Sequence, residues 1–118
     1  MSDLITVRNE KAYINGQKAE ELAKDLYDIV LSGGLVDGQI DGKPVEIKAC
    51  QEWHRNGGKR CRGRFTLERE QHEFLVKKDG LYLFVVFTEN GVKSKLVRAA
   101  EIQYRRKLGW PAIFGGQG

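Results

Sequence analysis

Two carboxylates and a lysine near the middle of the chain have the types and spacing that metal-assisted chemistry needs. Asp37 lies in the run Leu35-Val36-Asp37-Gly38-Gln39-Ile40. Glu46 and Lys48 lie in Lys43-Pro44-Val45-Glu46-Ile47-Lys48-Ala49-Cys50, and Asp41-Gly42 separates the two runs. Asp-Gly between two β-prone runs predicts a two-residue hairpin turn. Counting outward from it sets Ile40 against Lys43, Gln39 against Pro44, Gly38 against Val45 and Asp37 against Glu46. The closing pair is hydrogen-bonded and the pattern then alternates, so Asp37 and Glu46 are expected as a non-hydrogen-bonded pair, with Cβ atoms roughly 4.5–5.5 Å apart. Facing carboxylates repel, and a hard divalent cation such as Mg²⁺ or Mn²⁺ turns that repulsion into binding. Strand alternation puts Glu46 and Lys48 on one face and Val45, Ile47 and Ala49 on the other. Carboxylates that hold a metal, and a lysine that offsets developing negative charge, suit hydrolysis of a phosphodiester. Taken alone, Glu-x-Lys reads more simply as the polar face of a half-exposed strand. The facing Asp37 and the basic segment that follows favour the chemistry.

Those residues need elements to position them. Ala19, Leu22, Ala23, Leu26, Ile29 and Val30 recur at three- and four-residue spacing, which predicts an amphipathic helix over Gln17–Leu31, ended by Ser32-Gly33-Gly34. Glu20 and Glu21 stand in its first turn, where acids suit the helix dipole. Ile5–Val7 and Ala12–Ile14 predict an N-terminal hairpin or strand pair. Thr66 is the expected N-cap of a second helix from Leu67 to about Lys78, closed by Asp79-Gly80. Leu81–Phe87 is continuously apolar, as in a strand buried on both faces. A turn at Glu89-Asn90-Gly91 leads to a strand over Val92–Val97, and Arg98–Lys107 is expected as a short closing helix. The order of elements predicts an α/β (α+β) fold, a central mixed sheet flanked by helices.

The chain has 118 residues, of which 41% are hydrophobic and 31% charged, which fits one folded domain spanning 1–118 and excludes a disordered chain. No apolar run approaches the roughly 20 residues of a membrane span. Met1-Ser2-Asp3-Leu4 lacks the features of a signal peptide, so an intracellular, cytoplasmic location is expected, with Cys50 and Cys61 as reduced thiols. The net charge is +4, and the cations cluster. Residues 54–64 hold Arg55, Lys59, Arg60, Arg62 and Arg64 and no acid. With glycines at 57, 58 and 63 this segment reads as a flexible basic loop that settles on nucleic-acid phosphates. Trp53 at its base is expected as a half-buried anchor. Cys50, His54, Cys61 and His72 could be drawn as a zinc set, but no Cys-x-x-Cys pair supports it. Arg105-Arg106-Lys107 is expected to be solvated or to cap a helix C-terminus.

Asp37, the triplet Glu46-Ile47-Lys48 and the order of elements around them resemble the PD-(D/E)xK nuclease superfamily, which includes restriction endonucleases and archaeal Holliday junction resolvases. The resemblance covers about Gln17–Phe87, with Val36 where the motif's proline would stand. It implies a restriction-endonuclease-like core and a Mg²⁺- (or Mn²⁺-) dependent endonuclease acting on DNA. Asp37, Glu46 and Ile47 would be the metal positions and Lys48 the catalytic lysine. Glu20 (or Glu21) would be the helical acid, and Gln71 in the second helix a further site residue. It also implies a homodimer, and the small size suggests selection of branched or otherwise structured DNA rather than of sequence. The alternatives are a non-catalytic nucleic-acid-binding module of the same fold, or a nuclease directed at single strands or RNA.

Overall fold

The computed structural model describes residues 4–5, 15–32 and 34–115. Its centre is a six-stranded sheet of β1 (Leu4–Ile5), β2 (Val30–Leu31), β3 (Gly38–Ile40), β4 (Lys43–Gln51), β8 (Leu81–Thr88) and β9 (Gly91–Arg98), in the spatial order β1-β9-β8-β4-β3-β2. β4 and β8 run parallel, from Val45 opposite Leu81 to Gln51 opposite Phe87, and the other pairings are antiparallel. The sheet is therefore mixed, as the order of elements predicts.

Helices cover both faces. α1 (Asn15–Tyr27) buries Ala19 and Ala23 against Val45, Leu83, Val85 and Phe87. On the other face α2 (Arg69–Lys77) buries Leu75 in a cluster with Phe65, Leu67, Tyr82, Phe84 and Val86. β8 supplies alternate residues to each cluster, which is why its sequence is apolar without interruption. Each such fully buried side chain contributes about 1.5–3 kcal/mol, so β8 and its neighbour β4 form the rigid centre of the molecule.

Several boundaries differ from expectation for identifiable reasons. The first helix ends at Tyr27 rather than Leu31, because Asp28 turns left-handed (φ 56°) and Val30–Leu31 pair with Gln39 and Gly38. Thr66 is not a helix cap. It lies in β7 (Arg64–Thr66), which pairs with β10 (Lys107–Gly109), and the helix begins after Glu68. The closing helix reduces to one 3₁₀ turn, Ala99–Glu101, because the chain then extends toward β10. The basic segment is not a loop: β5 (Trp53–Asn56) and β6 (Lys59–Arg62) form an antiparallel hairpin, and Gly57 and Gly58 (φ 63° and 86°) make its turn. Past β10 the chain forms a short helix, α3 (Pro111–Phe114), with Trp110 and Ile113 buried. Of the proposed N-terminal strand pair, Leu4–Ile5 pairs with β9 and the rest lies outside the described residues. Among the described residues no helix is long and apolar enough to cross a membrane.

Candidate active site

Asp41 and Gly42 both have positive φ (52° and 81°), the conformation of a type I′ turn, and the β3–β4 register is the one counted from the sequence as far as Gly38 opposite Val45. There the ladder stops. One step on, Asp37 and Glu46 lie side by side but not as ladder partners. The Asp37 N–H donates to Glu46 Oε1 at 3.0 Å, and the Ile47 N–H donates to Asp37 Oδ2 at 2.9 Å. The Asp37 carboxylate thus occupies the place where the ladder would next need a backbone acceptor, and that substitution ends the pairing. Asp37 is held from behind as well, its carbonyl accepting the Ser32 N–H at 2.8 Å. Gly38 allows β2 this close, since a Cβ there would strike the Val30 carbonyl oxygen.

Within a strand a residue's N–H and C=O point to the same edge. Because the Ile47 N–H reaches Asp37, the Ile47 carbonyl faces the same gap left by the departing β3. Two carboxylates and one carbonyl therefore converge at this edge of β4.

Lys48 completes the arrangement from two residues along the same face. Its Nζ lies 3.4 Å from Glu46 Oε2 and 3.4 Å from Gln71 Oε1, to which it donates. Gln71 Nε2 donates in turn to the Leu35 carbonyl at 2.8 Å, tying α2 to the segment that carries Asp37. The structure brings together Asp37, Glu46, Ile47, Lys48 and Gln71. It does not bring in Glu20 or Glu21. Both are exposed on α1, which packs on the Val45–Ile47–Ala49 face, and among the described residues neither bonds to the trio.

Electrostatics sets this cluster apart from an ordinary polar strand face. Glu46 is only 5% exposed. Burial, and then the neighbouring Asp37 carboxylate, pushes its carboxyl from 4.5 up to about 7, with Lys48 acting the other way. One ammonium at 3.4 Å does not offset two carboxylates in a dry setting, so the site has room for more positive charge.

The donor set suits a hard cation: oxygen ligands only, two of them carboxylates. Among the described residues no group of three or more His, Cys, Asp or Glu gathers anywhere, so no full protein cage exists. Mg²⁺ needs none, since it is commonly held by one or two carboxylates and takes its remaining ligands from water and substrate phosphate. The zinc set fails on the same count. His72 is buried elsewhere, its Nδ1 2.9 Å from the Tyr82 hydroxyl, and His54 and Cys61 face each other across the hairpin.

No spacing in the sequence signals the His72–Tyr82 contact, which joins a helix to a strand. Tyr82 sits beside Glu46 in the β4–β8 register, and His72 stacks on its ring at 5.8 Å while Tyr104 lies against the imidazole at 5.5 Å. The group braces α2, and hence Gln71, against the strand next to the carboxylates.

The basic hairpin extends from the end of β4. Arg60 and Arg62 lie over the half-buried Trp53 ring at 4.3 and 5.1 Å, and Arg62 also approaches Trp110 at 5.5 Å. Arg55 stands directly opposite Arg60, a like-charged pair that a purely structural hairpin would avoid.

Comparison with protein families decides the kinship. The family model described as the PD-(D/E)XK nuclease superfamily domain matches residues 6–112. The chain belongs to the PD-(D/E)XK nuclease superfamily. No curated protein and no solved structure matches it with significance. A nuclease-like function and a restriction-endonuclease-like fold follow from the membership.

Proposed function

We propose that this protein is a metal-dependent endonuclease that hydrolyses DNA phosphodiester bonds at the β3–β4 carboxylate pair. The observation that carries the reading is the interlocked Asp37–Glu46 pair, with Lys48 3.4 Å from Glu46, on a buried strand face. Asp37, Glu46 and the Ile47 carbonyl would hold Mg²⁺ or Mn²⁺. A divalent cation bound there supplies Lewis-acid polarisation of the phosphate and a water of lowered pKa. The chain's own groups do the rest. Backbone N–H bonds fix both carboxylates, so their geometry costs no reorganisation at the moment of reaction. Lys48 presents an ammonium to the negative charge that develops on the phosphate oxygens. Gln71 holds that ammonium in place and is a positioning residue. Arg55, Lys59, Arg60, Arg62 and Arg64 bind the nucleic-acid backbone electrostatically, with little information about sequence.

Because the described residues contain no separate sequence-reading module, we read the preferred substrate as DNA of a particular shape, such as a branched junction. Two copies acting together would cut both strands. The test is a cleavage panel: supercoiled, linear, single-stranded and four-way-junction DNA, and RNA, each with Mg²⁺, Mn²⁺ or EDTA. The expected result is cleavage with either metal, none with EDTA, and a junction cut faster than linear duplex. Cutting that survives EDTA would defeat the metal mechanism. Tight binding without cutting under any metal would show a binding module, and preference for RNA would reassign the substrate.

A further inference from the structure

Beyond Lys48 on the same face of β4 lies a cleft of about 320 Å³ lined by Cys50, Gln51, His54, Gly63, Arg64 and Lys107. We infer that this cleft is a second anion site, which takes a backbone phosphate of the bound nucleic acid a few nucleotides from the one cleaved.

The cleft lies in line with the carboxylates. Glu46, Lys48 and Cys50 alternate along β4 and share a face, so the cleft opens about 6.6 Å beyond Lys48 and about 13 Å beyond Glu46. A duplex strand advances roughly 3.4 Å per phosphate along its axis, so a strand lying along this face with one phosphate at the carboxylates places another at the cleft within about four nucleotides.

The cleft is basic: Arg64 and Lys107 line it beside His54, and no carboxylate does. Among the described residues neither Arg64 nor Lys107 forms an ion pair, although exposed Lys43 and Arg98 both find Asp79.

The cleft is also built by its neighbours. Phe65 and Leu108 face each other across the β7–β10 pair and are both buried, so Arg64, Thr66 and Lys107 project to its opposite side. There Lys107 Nζ donates to Thr66 Oγ1 at 2.8 Å, which fixes the ammonium close to Arg64. Gly63 brings β7 down onto the end of β4. A Cβ at that position would strike the Gln51 carbonyl oxygen and meet Cys50 Sγ at 3.2 Å, so a larger residue could not form this floor. The Cys50 thiol is neutral, since burial pushes it up to about 12, and it acts as wall rather than nucleophile.

This inference rests on the nucleic-acid reading but not on catalysis, and its test uses binding alone. A labelled duplex and a labelled single strand would be titrated with protein in EDTA across a range of salt. The proteins are wild type, Arg64→Ala/Lys107→Met, and the charge-matched control Lys24→Ala/Lys43→Ala. The cleft variant should bind about tenfold more weakly, with a log–log salt slope shallower by about 1 to 2, while the control stays near wild type. Methylphosphonates spread through the oligonucleotide should weaken wild-type binding more than they weaken binding by the cleft variant. A cleft variant indistinguishable from the control, no such difference, or no binding of either nucleic acid would overturn the inference. So would tight binding of inorganic phosphate to the cleft with unchanged oligonucleotide affinity, which would mark a small-anion site. A protein that binds as described but cuts nothing would leave this site standing and remove only the catalytic reading.

Discussion

Glu46→Gln should make the metal-free protein more stable while removing its activity. Glu46 is buried beside Asp37, and both burial and that neighbour oppose its ionisation, raising its carboxyl from 4.5 to about 7. At about 1.4 kcal/mol per pH unit of displacement, holding this group ionised in the folded state costs about 3 kcal/mol once the pH exceeds 7. The sign follows from linkage. The folded form binds the proton more tightly than the unfolded chain, so the stability associated with it is fully present below about 4.5 and is lost as pH rises through about 7. An uncharged amide of the same shape carries no such penalty, and its oxygen still accepts the Asp37 N–H. For a chain of 118 residues the unfolding entropy makes about 3 kcal/mol worth about 12 °C in Tm. Thermal unfolding followed by circular dichroism, in EDTA, should give the variant a higher Tm at about pH 8 and no advantage at about pH 4. Mg²⁺ or Mn²⁺ at about 100 times its Kd should then raise the wild-type Tm, by linkage worth about 2.7 kcal/mol, and leave the variant's unchanged. A variant no more stable than wild type at the higher pH, or an advantage independent of pH, would refute the picture of a strained carboxylate pair awaiting a cation.

Lys48→Met should lower kcat by about 10²–10³ with little change in DNA affinity, as measured by single-turnover cleavage and by binding in EDTA. Gln71→Ala releases the Lys48 ammonium and the Leu35 carbonyl together, and should cost about 10–100-fold in rate while the melting temperature stays near wild type. Tyr82→Phe removes the hydroxyl from buried His72 and should destabilise by about 1–3 kcal/mol in denaturant unfolding. Burial lowers the His72 pKa below 6.5, so its contribution to stability is full above that value and is lost as pH falls through the folded value, which a pH series of melts should show. Gly63→Ala should destabilise by about 1–3 kcal/mol or more, because backbone rather than a movable side chain occupies the space of the new methyl.

What is legible in the sequence is local. Asp41-Gly42 carries the chemistry of a type I′ turn, so the register toward Asp37 and Glu46 can be counted from the residues alone. Strand alternation likewise separates Glu46 and Lys48 from Val45, Ile47 and Ala49. Whatever depends on a distant partner is harder to see. Ile29-Val30-Leu31 continues the apolar spacing of α1, and only the pairing with Gly38 and Gln39 makes Val30–Leu31 a strand. Gly57 and Gly58 read as flexibility, whereas arginines stacking on Trp53 stabilise the hairpin they close, in place of the alternating aliphatics that announce most strands. Lys107 reads as a solvated or capping residue, yet it lies in β10 because residues 64–66 supply its partner from a distant part of the chain. Gln71 comes from the family resemblance alone. Its contact with Lys48 joins a helix to a strand, and no spacing rule reaches that far.

The central claim is that Asp37 and Glu46 hold the cation that cuts DNA. Its most direct test is the initial rate of plasmid cleavage over a Mg²⁺ titration, for wild type and for Asp37→Asn. That substitution keeps an oxygen acceptor for the Ile47 N–H and removes one negative charge. Wild type should cut with a saturable dependence on Mg²⁺ and stop with EDTA, and Asp37→Asn should be inactive or need far more metal. Equal activity of the two proteins, or cleavage in EDTA, would contradict the account.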